Sequence, residues 1–307
     1  MPTERFPSGL MSTCCLPWDE RHQFAERIFR SAVQAALRGT ELLYVFGTAG
    51  EGYAVTDRQF TEIVTAFADE MRLGGAEPMV GLIDLSLGTI RERIARARDL
   101  GVRRFQISLP AWAALREVEL FQLFDQTCGA FPDCQFMHYN LPRTKRMVTG
   151  KEYGRLADAH PNLVATKNCG DSLSHIQSLM LDAPQLRHFL SENGYVYGSL
   201  FGECGILVSF IMNWPKLRSL YEAGRRRDVT TMLAIQREIR VVIQTLFETV
   251  PDDRIDGSYD KLFEKMYDRE FPLRLLPPYL GSSDAEFETF VARLKERLPE
   301  WIPQEVG

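Results

Sequence analysis

The stretch Glu41-Leu42-Leu43-Tyr44-Val45-Phe46, running straight into Gly47-Thr48-Ala49-Gly50-Glu51-Gly52, decides the fold. A short apolar run that stops at a glycine-rich turn reads as a buried strand. Just beyond it, Thr56-Asp57-Arg58-Gln59 has the form of a capping box, with a hydroxyl at the cap and an amide three residues on. Phe60, Ile63, Val64, Phe67, Ala68 and Met71 then fall on one face of a helix. Strand, turn and capped helix make one βα unit. Working outward, further strand-like runs occupy Gly9–Cys15, Met79–Ile83, Arg104–Leu109, Cys134–Tyr139, Leu163–Lys167, Leu186–Ser191 and Ile206–Ile211, for eight in all. Between the first two, Phe24, Ile28, Phe29, Ala32, Val33, Ala36 and Leu37 form a helical stripe. Eight strands alternating with helices predict an α/β fold with a parallel sheet, and that number favours a (β/α)8 TIM barrel over an open doubly wound sheet. After the eighth strand the alternation stops. Helical patterns follow at about 213–224, 228–249, 258–270 and 284–297. The reading is a catalytic barrel over 1–226 with a C-terminal helical domain over 227–307.

Composition narrows the functional classes. The chain has 307 residues, with 36 basic and 41 acidic side chains and a net charge of −5, which argues against nucleic acid or an anionic membrane as partner. Aromatics at 11% and a length able to bury a large core exclude a disordered chain. Cysteines 14, 15, 128, 134, 169 and 204 show neither a CxxC pair nor zinc-finger spacing, so they read as reduced thiols, mostly in the core. The longest nearly polar-free run, Gly205 to Pro215, is too short to span a bilayer. MPTERFPSGL lacks a secretory core, and a cytoplasmic location is expected.

In a barrel enzyme the reacting groups come from the C-terminal ends of strands. Three places stand out there. The turn Gly47–Gly52 offers backbone N–H groups to an anion, yet it has neither the dinucleotide fingerprint nor the lysine of a P-loop. Lys167 ends an apolar strand in Val164-Ala165-Thr166-Lys167-Asn168. Desolvation there is expected to lower its pKa toward neutrality and make it a nucleophile for a ketone. Tyr139, in His138-Tyr139-Asn140-Leu141-Pro142, could carry a proton, and Thr48 could hydrogen-bond its phenol. Each residue alone is as well explained by packing, a turn or a rim position; their coincidence at one end of one barrel carries the reading.

These residues, in this order, resemble the dihydrodipicolinate synthase / N-acetylneuraminate lyase family of class I aldolases. Gly47-Thr48-Ala49-Gly50-Glu51 is similar to its GTTGE turn, Tyr139-Asn140-Leu141-Pro142 to its YNxP segment, and Lys167 with Gly170 and Asp171 to its lysine region. Ser209–Asn213 sits where the family has ISxxAN. The resemblance implies a barrel with C-terminal helices, a homo-oligomer (dimer or tetramer), no metal and no organic cofactor. It implies Lys167 as the Schiff-base lysine for pyruvate or another 2-keto acid, Tyr139 as general acid/base, and Thr48 tuning that phenol. Thr48 and the N–H of Ala49 would hold the keto acid's carboxylate, with Gly47 beside them in the same substrate-binding turn. Trp112, Val208, Glu192 and Arg143 complete the expected substrate contacts.

The departures bear on substrate. Ala49 replaces the second threonine of GTTGE, and Trp112 stands where synthases carry a relay tyrosine that an indole cannot imitate. Arg143-Thr144-Lys145-Arg146 is basic but out of register with the synthases' aldehyde-binding arginine. Asn168 follows the lysine in place of Asp, and Glu192-Asn193 replaces a small turn. These changes argue against lysine biosynthesis and for a class I aldolase, lyase or dehydratase acting on another 2-keto acid, with Trp112 as an apolar wall or with hydroxyl partners at Glu192, Asn193 and Ser209. The alternatives are a true 4-hydroxy-tetrahydrodipicolinate synthase and a non-catalytic keto-acid-binding barrel.

Overall fold

Side-chain parity along the strands explains the architecture. In the computed structural model, which describes residues 5–170, 172–251 and 253–303, eight strands close into one parallel barrel in sequence order. They are β1 Leu10–Thr13, β2 Leu42–Val45, β3 Met79–Leu82, β4 Arg104–Ser108, β5 Gln135–Asn140, β6 Leu163–Asn168, β7 Arg187–Leu190 and β8 Gly205–Val208. Each lies inside or within a residue of its expected run, and β1 pairs with β8 to complete the ring. The helices are α1 Glu26–Leu37, α2 Asp57–Leu73, α3 Leu87–Asp99, α4 Glu117–Phe124, α5 Gly150–Ala159, α6 Leu173–Asp182, α7 Glu192–Phe201, α8 Trp214–Arg226, α9 Val229–Phe247, α10 Gly257–Tyr267 and α11 Asp284–Arg297. The capping box at α2 forms as its sequence requires: the Thr56 hydroxyl accepts from Gln59 N–H, and the Gln59 carbonyl oxygen accepts from Thr56 N–H at 3.0 Å.

Two cores result. Met11, Tyr44, Met79, Met137, Ala165, Phe189 and Leu207 point inward and fill the cylinder. Residues of opposite parity, such as Leu43, Val45 and Ile206, pack outward against the helices. Phe6 plugs the N-terminal end. Its ring meets Phe189 edge-on at 6.1 Å, and its carbonyl accepts from Arg187 Nε at 3.1 Å. The opposite end stays open.

Glu51 joins that open end to the C-terminal helices. It sits in the left-handed region at φ 50° in the glycine-rich turn. Its carboxylate, fully buried, accepts from Trp18 Nε1 at 2.9 Å, Leu276 N at 2.7 Å and Lys261 Nζ at 2.6 Å. Lys261 belongs to α10 and is also fully buried. The neighbouring Gly257 lies so close to the turn that a Cβ there would come within 3.0 Å of the Ala49 carbonyl oxygen. No disulfide links the six cysteines.

Removing one partner of a fully buried pair strands the other charge. Lys261→Met is therefore expected to lower stability by about 3–5 kcal/mol in urea unfolding. A loss under about 1 kcal/mol, the range of a surface pair, would show that the pair does not hold α10 to the barrel.

Candidate active site

β5 and β6 set the two central side chains beside each other, because Tyr139 and Lys167 are direct partners in the parallel register. Both point inward with the parity of Met137 and Ala165. Lys167 is only 6% exposed. Its Nζ lies 3.7 Å from the centre of the Tyr139 ring and donates a hydrogen bond of 2.7 Å to the Tyr44 hydroxyl. The Tyr139 hydroxyl lies 3.2 Å from Thr48 Oγ1 and receives a weak contact from Cys169 Sγ at 3.6 Å. The expected trio of Lys167, Tyr139 and Thr48 is thus brought together.

Tyr44 is the member that sequence reasoning missed. A tyrosine in an apolar strand reads as core, but its parity with inward Leu42 and its place three residues before the turn could have found it. Gly47 makes room for it, since a Cβ at Gly47 would lie 2.6 Å from the Tyr44 ring. Gly47 therefore has a packing reason as well as any role toward an anion.

The amine titrates differently from the expectation. Burial is the strongest influence on Lys167 and favours the neutral form, but Tyr139, Tyr44 and Cys169 act against it and the net pKa is raised. Burial also raises both phenols, so they keep their protons near neutral pH. The resting cluster is an ammonium with two phenols. Burial alone favours the neutral amine, and the hydrogen bond that Lys167 donates to the Tyr44 hydroxyl works against that shift.

The remaining residues fall into three groups. Val208 ends β8 and Ala49 lies in the turn, both buried at the mouth. Glu192 is 7% exposed and accepts from Ser209 N–H at 2.6 Å, tying the β7 and β8 ends together. Arg143 is half-exposed and pairs with Asp256, just before α10, at 2.8 and 3.2 Å. Trp112 is 82% exposed, and Ala111, not the indole, lines the cleft. Within this chain the indole expected as a wall stands exposed outside the cleft lining. Asp171 lies outside the described residues. From α10, Asp260 also reaches the mouth. Burial first, then Asp256 and Glu192, push its carboxyl well above the usual range, while Lys167 opposes that shift. Beside Thr48, which contacts the Tyr139 hydroxyl, lies a cleft of about 640 Å³ bordered by Tyr53, Ser108, Leu141, Arg143 and Tyr279 among others. Among the described residues no group of three His, Cys, Asp or Glu is placed to hold a metal, and no helix is long and apolar enough to cross a membrane.

Residues 6–255 match the family described as the Dihydrodipicolinate synthetase family. The chain belongs to that family. Among curated proteins, this family member is 26% identical over 248 residues to a 4-hydroxy-tetrahydrodipicolinate synthase of Exiguobacterium sp., covering 79% of this chain and 84% of that one. Among solved structures, YagE of E. coli K12, a dihydrodipicolinic acid synthase family protein in complex with pyruvate, superposes with a TM-score of 0.83 at 16% identity, covering 94% and 98% of the two chains. CdNal of Clostridium difficile, in complex with mannosamine, gives 0.82 at 14% identity, covering 94% and 98%. At these identities the structural likeness establishes the fold. The barrel and family expectations are met.

Tyr44→Phe removes an acceptor from the charged form of Lys167, so it is expected to lower the lysine's pKa. Reductive methylation of the Lys167 peptide with formaldehyde and cyanoborohydride, followed across pH by mass spectrometry, should shift its midpoint to lower pH. An unmoved midpoint would mean that the 2.7 Å contact does not govern the proton.

Proposed function

We propose that this chain is a class I lyase that forms a Schiff base between Lys167 and pyruvate or a related 2-keto acid, and cleaves or forms a carbon–carbon bond, or dehydrates. One observation carries the reading: a buried amine at the open end of the barrel, hydrogen-bonded to one phenol and lying against the face of a second. Packing alone does not ask for a lysine there, since burying an ammonium is costly unless it is paired. The iminium serves as an electron sink for a carbanion at the keto acid's C3. Tyr139 moves the proton, with Thr48 fixing its hydroxyl. Thr48 and the Ala49 N–H receive the carboxylate, with Gly47 beside them in the turn. The amine must shed its proton before attack, so adduct formation should accelerate as pH rises from 6 toward 9. The pyruvate complex of YagE supports the keto-acid half of this reading. Lysine handles the covalent step without a metal or organic cofactor. We place the enzyme in the cytoplasm as a homo-oligomer, dimer or tetramer. In this reading the barrel over 1–226 carries the catalytic groups, and the C-terminal helical domain over 227–307 contributes α10 beside the glycine-rich turn.

The test is incubation with pyruvate, reduction with borohydride and intact-mass measurement. The expected result is one pyruvyl adduct, abolished by Lys167→Ala. No adduct with pyruvate or other 2-keto acids would sink the lyase reading in favour of a binding barrel. Tyr139→Phe should keep the fold and lose about 10²–10⁴-fold in turnover; unchanged turnover removes the phenol from the mechanism.

A further inference from the structure

The cleft beside Thr48 has a composition that bears on the second half of the substrate. It is continuous with the reacting centre, since Thr48 touches the Tyr139 hydroxyl and Ser108 is the register partner of Tyr139. Its walls are mostly apolar, with Leu85, Leu109 and Leu141 from the barrel side and Ile255, Pro277 and Pro278 from the C-terminal part. A volume of about 640 Å³ is ample for a small organic molecule.

The charges that could read a carboxylate are already engaged. Three basic residues follow Leu141-Pro142, and each has a protein partner. Arg143 is held by both oxygens of Asp256. Lys145 Nζ donates to the Trp112 carbonyl at 2.9 Å. Arg146, largely buried, donates to the Leu115 carbonyl and to Glu152. Of the three, only Arg143 borders the cleft, and no other cation does among the described residues that line it. A half-exposed ion pair is weak by itself. Here, though, surrendering it would also part the loop after β5 from the start of α10. The other charged lining residue, Asp84, is an acid.

One polar group in the cleft is unsatisfied. The Tyr53 hydroxyl is buried and has no hydrogen-bond partner. Its ring meets Tyr279 edge-on at 5.4 Å, so the phenol is fixed between the turn and the C-terminal segment. A buried hydroxyl without a partner costs free energy that a ligand oxygen can restore.

Resting on the lyase reading, we propose that the aldehyde-derived half of the substrate is uncharged, with an apolar body lodged in this cleft and a single hydroxyl-sized hydrogen-bonding group at Tyr53. In the condensing direction C3 of the keto-acid enamine bonds to the aldehyde carbon. The aldehyde oxygen takes a proton and becomes a hydroxyl, and water then releases the 4-hydroxy-2-keto acid from Lys167. A carboxylate on the aldehyde's far end would enter an apolar cleft whose one cation is already neutralised by Asp256.

Three aldehydes of equal chain length separate the cases: hexanal, 6-hydroxyhexanal and 6-oxohexanoate, each with pyruvate. The expected kcat/KM is at least about ten-fold lower for 6-oxohexanoate than for hexanal, and highest for 6-hydroxyhexanal. Tyr53→Phe should erase the advantage of 6-hydroxyhexanal over hexanal, and the loss should appear in KM. Asp256→Asn, by releasing Arg143, should raise 6-oxohexanoate about ten-fold relative to hexanal. The borohydride trap is run on the same preparations. An adduct together with a preference for 6-oxohexanoate, or with no aldehyde consumed, overturns this inference and leaves the lyase reading standing. Absence of the adduct overturns both.

Discussion

Everything at the open end of this barrel depends on a carboxylate that never meets water. Glu51 accepts from an indole, a backbone amide and the Lys261 ammonium, and both charged side chains are completely buried. Such a pair survives only when every bond around it is made. Lys261 meets that condition on its side by also donating to the Arg274 carbonyl at 2.5 Å. The pair fixes the turn that carries Thr48, and Thr48 in turn positions the Tyr139 hydroxyl. It also pins α10, which brings Asp260 to the mouth and sets Asp256, the residue before α10, beside Arg143. The glutamate of the GTAGE turn is therefore a structural anchor.

The cluster below the mouth manages protons by depth. Tyr44 reaches Lys167 from the opposite wall of the cylinder, while Tyr139 stands beside it on the next strand. One phenol accepts from Lys167, and the other contacts Thr48, which lines the cleft. Two hydroxyls of the same chemical kind are separated in task by their place in the barrel: Tyr44 is joined to the amine, and Tyr139 to the turn.

The fold was legible because every strand is a short apolar run with a turn signal behind it, and because the helices between them keep a clean period. Lys167 was legible because it breaks the apolar pattern at a strand end. Tyr44 was hidden, since a tyrosine fits an apolar strand equally well as packing. The contacts across the mouth were hidden for another reason. Glu51 and Lys261 are 210 residues apart, and Arg143 and Asp256 are 113 apart, so no local spacing links them. Trp112 matched a site residue by its place in the sequence, while the folded chain leaves the indole exposed and outside the cleft lining. The expectation for Lys167 weighed burial alone, and the phenol that accepts from it comes from a strand 123 residues away in sequence.

The plug at Phe6 has a kinetic consequence. With the floor of the cylinder stopped by that ring, traffic passes through a single doorway, and the amine lies deeper than the cleft. On the proposed lyase reading, the molecule joined to Lys167 takes its place before the shallower partner enters, and the product leaves by the same doorway.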